Sequence, residues 1–497
     1  MRLTRADGCI LALDQGTTGS TALVVAPDGR IVGRGYREIP QHYPAPGLVE
    51  HDARDLLSRT VDAGREAIAR AGVTPVAIGI TNQRETVLVW DRQTGEPVAP
   101  AIVWQDRRTA ARCAELAPNA AEIARRTGLV TDPYFSATKL EWLIGHHGLA
   151  ARAATGDLLA GTVDSWLIWN LTARAVHATD PTNASRTMLF DIDRGAWSDE
   201  LGAMFGVPRA MLPQVRASSG DFGVAARSFF DADIPIRGVA GDQQAALFGQ
   251  GCWRAGEGKN TYGTGAFLLL HAGPVRPPGA AGLLTTVACD EHGGAAYALE
   301  GSIFVAGAAV QWLRDGLGLI ATAAETEALA RSVPSTDGVS FVPALAGLGA
   351  PDWEPNARGM IVGLTRGTTR AHLVRAALEA MAYGTDDVLS LMASAAGANF
   401  ARLRVDGGAT ENDWLMQFQA DVLGVPVERP DIVETTALGA AGLAGIAAGV
   451  WDSAEQFIGV RTFRRFTPGN GTGAAREGKK AWRRAVRATL AWARDDA

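Results

Sequence analysis

Two isolated carboxylates and three turns built from glycine and hydroxyl residues carry the chemistry that this sequence offers. Asp14 closes the alternating apolar run Ile10 to Asp14 and leads into Gly16-Thr17-Thr18. Turns of this kind converge backbone N–H groups and small side chains on phosphate oxygens. A carboxylate in that place repels phosphate. Either the aspartate is only a turn former in a plain hairpin, or a cation stands between the two. The design recurs in "NTYGTGAFLLLH", and a third candidate turn sits in "LRVDGGATEN". Asp242 is the second carboxylate, set where the strand "IRGVAG" gives way to the small-residue helix "DQQAALF". Three such turns with two lone carboxylates suggest a nucleotide held beside magnesium, which takes one or two protein carboxylates and keeps several waters. The repulsion at Asp14 then becomes a bridge.

The elements that must position these groups are legible as punctuation and periodicity. Strands are expected at Ile10 to Asp14, Thr21 to Val25 and Ile31 to Tyr36, the last two joined by the turn "PDGR". A helix follows over Ala53 to Ala71, then "VAIGI" runs into the polar loop "TNQRE", and the strands "TVLVW" and "AIVW" come after it. Loops at the carboxyl ends of such strands are where α/β sheets bind ligands. The second Gly-Thr-Gly hairpin begins near mid-chain, so a weak internal duplication is visible. Leu373, Ala377, Met381 and Val388 mark a core helix, and Trp482, Val486 and Leu490 mark a terminal one with a basic, solvated face.

A chain of 497 residues exceeds one ordinary core, so two domains with a cleft between them are expected, divided as 1–248 and 249–497. A net charge of −6 gives no basic excess for nucleic acid. Cys9, Cys113, Cys252 and Cys289 are widely spaced and suggest neither a disulfide framework nor a zinc site, which fits a reducing cytoplasm. The opening "MRLTRADGCILALD" reaches a charge before any signal-length apolar stretch. The small-residue run Ala437 to Trp451 is shorter than the ~20 residues a membrane span needs. No GxSxG or HExxH occurs. "GEGKN" is no phosphate-binding P-loop, because Trp253 replaces the leading glycine and Asn260 the hydroxyl after Lys259. "GNGTGA" is discarded as a dinucleotide fingerprint, because it follows "RRFTP" and not a strand.

The blocks "ALDQGTT", "ITNQRET", "AIVWQDRRT", "TGLVTDPYFSATKL", "TDPTNASRTMLF", "AGDQQAALFGQ", "NTYGTGAF", "ALEGSIFVAGAAVQWLRD", "VPALAGLGAPDW", "LRVDGGATEN" and "ERPDIVETTALGAA" resemble the FGGY carbohydrate kinase family, and within it the glycerol kinases. They keep the family's order to about residue 450. The resemblance implies an α/β, two-domain actin/hexokinase/Hsp70-like (ribonuclease H-like) fold with a central cleft. It also implies MgATP-dependent phosphorylation of glycerol to sn-glycerol 3-phosphate, the first step of glycerol use, in a cytoplasmic homodimer or homotetramer.

Carried over by position, Asp242 is the general base, beside Gln243, which helps to hold the triol, and Asp14 serves the magnesium. Arg84 and Glu85 suit a polyol, since guanidinium donors and carboxylate acceptors together grip vicinal hydroxyls. Trp104, Tyr134 and Phe267 match the aromatic positions of the glycerol pocket. Thr17, Thr18 and Thr264 correspond to phosphate contacts of ATP, and Gly307, Gln311, Gly408 and Asn412 to its remaining contacts. Without the family, Asp242 reads as a helix N-cap, Arg84-Glu85 as an exposed ion pair and the aromatics as core.

Two departures stand out. The first phosphate loop often reads GTTSSR in the family but is "GTTGST" here, so Gly19 replaces a hydroxyl and Thr21 an arginine, which predicts weaker ATP binding. The effector loop for fructose 1,6-bisphosphate carries a Gly-x-Arg in some members. The aligned "DADIPIRG" has Asp233 in the arginine's place, and the histidine phosphorylated in other members is missing from "ARSFFDADIP". Neither control is expected. Competing readings are a kinase for a larger polyol or sugar, which needs a roomier pocket, and an ATP-binding module without turnover.

Overall fold

The computed structural model describes residues 8–495, so Met1 to Asp7, on which the argument against a signal segment partly rested, lie outside the described residues. The first sheet has six strands in the order Val224–Ala225, Ile234–Gly241, Ala77–Asn82, Ile10–Gln15, Gly19–Val25 and Ile31–Glu38. Ile10–Gln15 and Gly19–Val25 form the expected hairpin, with Asp14 opposite Thr21. Ile10–Gln15, Ala77–Asn82 and Ile234–Gly241 run parallel in a register that levels Gln15 with Asn82 and Asn82 with Gly241. Asp14, the loop after Asn82 and Asp242 therefore emerge at one edge of the sheet. That edge is where parallel strands end and α/β folds place ligands.

The second sheet repeats the plan. Glu257–Tyr262 and Ala266–Gly273 form an antiparallel hairpin, and Arg402–Asp406 lies parallel to the first of them, with Thr261 level with Asp406. The turns Gly263-Thr264-Gly265 and Gly407-Gly408 thus leave adjacent strand ends, as the phosphate turn and "TNQRE" do in the first sheet. Leu284–Cys289 and Ala295–Ile303 extend this sheet on one side, and Val427–Pro430 and Phe463–Phe466 on the other. The last of these corrects the reason given against "GNGTGA", since a strand does precede it. That strand is an antiparallel edge, which leaves no parallel βαβ unit for a dinucleotide.

Ala53–Ala71 is a helix with the expected bounds, capped by Asp52, whose side chain accepts from Arg54 N–H. Leu56, Val61, Ala63 and Ala67 pack it against the first sheet. The core helix is Arg370–Ala396 and covers the second sheet. The small-residue run forms the helix Thr435–Ala447, wedged against the first sheet although it comes from the chain's second half. Gly79 permits this contact, because a Cβ there would stand 2.1 Å from the Ala440 carbonyl. Among the described residues no helix is long and apolar enough to cross a membrane.

A separate four-stranded sheet, Glu50–His51, Ala101–Ile102, Val87–Asp91 and Leu158–Thr162, is inserted beside the first. Its Ala101–Ile102 strand is shorter than the "AIVW" expected, so Trp104 sits past its end. Cys9, Cys113, Cys252 and Cys289 are buried, and none of them forms a disulfide among the described residues.

Candidate active site

Arg84 and Glu85 follow the central parallel strand in its loop, and the exposed ion pair that the residues suggest without the family is not what forms. Both side chains are only 2% exposed, and their facing atoms, Arg84 Nε and Glu85 Oε1, are 3.7 Å apart. Glu85 holds a backbone φ of 62°. For a residue other than glycine that conformation costs about 1–3 kcal/mol, and such strain collects at functional positions. Arg84 Nε lies 3.2 Å from Asp242 Oδ1, which joins the polar loop to the carboxylate of the next strand end.

Asp242 is not the helix cap that the isolated sequence suggests. Gly241 occupies the cap, and Asp242 is the first residue of the helix Asp242–Gly249. Its Oδ1 accepts from the Gln243 N–H at 2.7 Å and lies 3.2 Å from Arg84 Nε in an ion pair. Oδ2 makes no hydrogen bond among the described residues and is left for chemistry. Burial raises the Asp242 pKa against the lowering pull of Arg84, the Gln243 N–H and Lys259. Asp14 is pushed up to about 7, first by burial and then by the charge of Asp242. A cation between the two half-buried carboxylates relieves the charge with which Asp242 raises Asp14, so the donor set suits magnesium, which uses few protein ligands. Among the described residues no group of three or more acidic, histidine or cysteine side chains could hold a metal.

Of the three aromatic positions, Trp104 and Tyr134 stand beside Arg84. Tyr134 meets Trp104 edge to face at 5.5 Å, and its hydroxyl is 3.4 Å from Arg84 Nη2. The Trp104 indole N–H donates to the Thr17 hydroxyl at 2.8 Å, and Gln41 donates to the Thr17 carbonyl at 2.7 Å. Phe267 is half-buried on the second hairpin, opposite Thr261.

Thr264, Gly307, Gln311, Gly408 and Asn412 line one cavity of about 520 Å³, and Arg314 adds a cation to its wall. Thr17 and Thr18 do not line it; they stand on the first sheet's turn. Gly307 opens the helix Gly307–Asp315, where a Cβ would stand 2.5 Å from the Gly263 carbonyl. At Gly408 a Cβ would meet no protein atom within 4 Å, whereas Gly407, with φ of 90°, presses on Tyr262. Asn412 caps the helix Asp413–Leu423 through its Oδ1 and donates to Thr326. Gly19 also has a steric reason, since a Cβ there would stand 2.5 Å from the Tyr36 hydroxyl.

Sequence reasoning missed three charged residues. Lys259, dismissed with the failed P-loop, is fully buried and donates to the Gln243 side-chain carbonyl and the Thr261 hydroxyl. Glu300 takes the fork of Arg84, from Nη1 at 2.6 Å and Nη2 at 3.2 Å. Arg186 donates through Nε to Glu85 at 2.6 Å and through Nη2 to Glu300 at 3.1 Å. Arg186 and Glu300 stand within the family-like blocks quoted above, but only their placement reveals the connection.

The N-terminal domain of the FGGY family of carbohydrate kinases matches residues 9–249, and the family's C-terminal domain matches residues 258–448. Glycerol kinase 2 of Thermotoga maritima is 53% identical over 490 residues, covering 97% of this chain and 99% of that relative. The glycerol kinase of Methylobacterium nodulans is 55% identical over 488 residues, with 96% and 97% covered. The crystal structure of Plasmodium falciparum glycerol kinase with ADP superimposes with a TM-score of 0.92 at 35% identity, covering 97% of this chain and 98% of that one. A ligand-bound xylulose kinase from Lactobacillus acidophilus, at 21% identity, shares the fold with a TM-score of 0.87.

Proposed function

The chain belongs to the FGGY family of carbohydrate kinases, and from that premise we propose that it transfers the γ-phosphoryl group of MgATP to glycerol, giving sn-glycerol 3-phosphate and ADP. The observation that carries this reading is the convergence of Arg84, Glu85 and Asp242 on one sheet edge, beside the Thr17 turn.

Glycerol lies against Trp104, Tyr134 and Phe267, with its hydroxyls gripped by Arg84 and Glu85 and steadied by Gln243. Asp242 takes the proton of the attacking terminal hydroxyl on Oδ2, the oxygen without a protein partner. The hydroxyl oxygen forms its bond to the γ-phosphorus as the bridging P–O bond breaks, and ADP leaves with the electron pair. A carboxylate whose pKa is raised by burial is a better proton acceptor than an ordinary aspartate. Thr17, Thr18 and Thr264 contact the phosphates, and Gly307, Gln311, Gly408 and Asn412 the rest of the nucleotide. Asp14 would hold the magnesium, which when bound neutralises charge on the phosphate oxygens. Most of the catalysis is positioning and preorganised charge, with closure of the two halves, 1–248 and 249–497, excluding water. Cytoplasmic residence and a homodimer or homotetramer complete the reading, on the family resemblance alone.

The test is ADP release with MgATP over a panel of polyols and sugars. Turnover that requires glycerol and falls with larger polyols supports the reading. ADP release indifferent to glycerol contradicts it.

A further inference from the structure

Arg84, Glu300, Arg186 and Glu85 close a ring of alternating charge, in which each of the first three contacts is a hydrogen bond and the fourth is the 3.7 Å approach of Arg84 to Glu85. No side chain of the four is more than 2% exposed. Glu300 comes from the strand Ala295–Ile303 of the second sheet, whereas its three partners belong to the first half of the chain. We propose that Glu300 and Arg186 are positioning residues for the polyol, holding Arg84 and Glu85 in place from behind, with Glu300 delivering its share from the opposite half of the molecule. This rests on the proposed function and names which groups set its substrate grip.

The pattern of bond lengths divides the contacts of Arg84 into two kinds. Those to Glu300 use both carboxylate oxygens and include the shortest, 2.6 Å. Those to Gln244 and Tyr134 are looser, at 3.4 Å each. Hydroxyls of a polyol displace the loose set at small cost, while the carboxylate fork keeps the guanidinium from following the ligand. Arg186 does the same for Glu85, and its guanidinium is itself held over the rings of Phe135 and Tyr134 at 5.2 and 5.6 Å. Stability alone gives a poor account of such a ring. Burying four charges carries a desolvation cost that apolar side chains of similar volume avoid, so ion clusters of this kind are weak stabilisers. Displacing a binding group by about 1 Å, in contrast, costs up to about a hundredfold in rate.

The test is a mutant cycle on the full chain, read as separate KM values for glycerol and MgATP. Glu300→Gln keeps the shape and removes the charge. It is expected to raise the glycerol KM about tenfold or more while the MgATP KM stays within about twofold. Glu300→Asp, which keeps the charge on a shorter stem, falls between Glu300→Gln and wild type. In an Arg84→Ala background Glu300→Gln adds less than about twofold to the glycerol KM, because its effect passes through Arg84. Equal changes in both KM values, or penalties that multiply in the double variant, assign the ring a structural role and overturn the proposal. Should Glu300→Gln fail to fold, Arg186→Lys is measured in its place with the same expectation. Wild-type turnover that ignores glycerol defeats the proposed function instead, a result these variants do not mimic.

Discussion

The indole N–H of Trp104 donates to the hydroxyl of Thr17 at 2.8 Å, so an aromatic that packs on Tyr134 beside Arg84 is tied directly to the first glycine-hydroxyl turn. Trp104 follows a strand of the inserted sheet, Thr17 stands on the first hairpin's turn, and Gln41 donates to the Thr17 carbonyl. In the proposed function this one hydrogen bond couples the glycerol and ATP sites. Trp104→Phe keeps the ring and removes the donor, worth about 1 kcal/mol or roughly fivefold. It is expected to raise the KM of both glycerol and ATP, as is Thr17→Val, with no further loss when the two are combined. A change confined to glycerol contradicts the coupling.

Thr21 stands opposite Asp14 in the hairpin and opposite Tyr36 on its other side. Thr21→Arg places a guanidinium at the mouth of the phosphate turn, and a charge-assisted contact there is expected to lower the ATP KM by about threefold or more. The glycerol KM stays unchanged. An ATP KM and kcat identical to wild type remove the loop's departure as a cause of weak nucleotide binding.

Asp233 is exposed, accepts from the Arg227 N–H at 3.0 Å and faces the Arg227 guanidinium at 3.7 Å. A carboxylate there repels a bisphosphate. Fructose 1,6-bisphosphate is expected to alter the rate by less than about twofold, since like charge disfavours its binding. A several-fold effect in a rate assay contradicts this.

Asp164 is fully buried, accepts from the Thr162 and Thr179 hydroxyls, and is raised to about 7, first by burial and then by the charge of Asp180. Its folded pKa lies above its unfolded one, so the stability it contributes is complete below about 4 and is lost as pH rises towards about 7. Asp164→Asn removes that dependence. The melting temperature of the variant, relative to wild type, should therefore climb between pH 4 and 7. A constant difference across that window contradicts the assignment.

Strands, turns and helices were largely legible because their signals are local: "LALDQGTT" and "NTYGTG" announce hairpins, and Ala53–Ala71 carries its cap and its stripe in one segment. The levelling of Gln15, Asn82 and Gly241 was not, since register between strands distant in sequence leaves no local trace. Burial of charge was the larger failure. Arg84 and Glu85 look like a surface pair because most charged residues are exposed, and only partners far along the chain make their burial tolerable. Glu300 is 216 positions from Arg84, and Lys259 was discarded with a motif it does not need. Taken alone, Asp242 reads as a cap because aspartate before a helix often is one, whereas here Gly241 takes that place and frees a carboxylate oxygen.

In the proposed reaction Asp242 accepts the proton of the attacking glycerol hydroxyl. The direct measurement is ADP production from MgATP, with and without glycerol, for wild type and Asp242→Asn. The expected result is glycerol-dependent turnover in wild type and a kcat lower by about 10²–10⁴-fold in the variant, with both KM values within a few-fold. A variant that keeps more than about a tenth of the wild-type kcat contradicts the claim, because a positioned general base contributes far more than that.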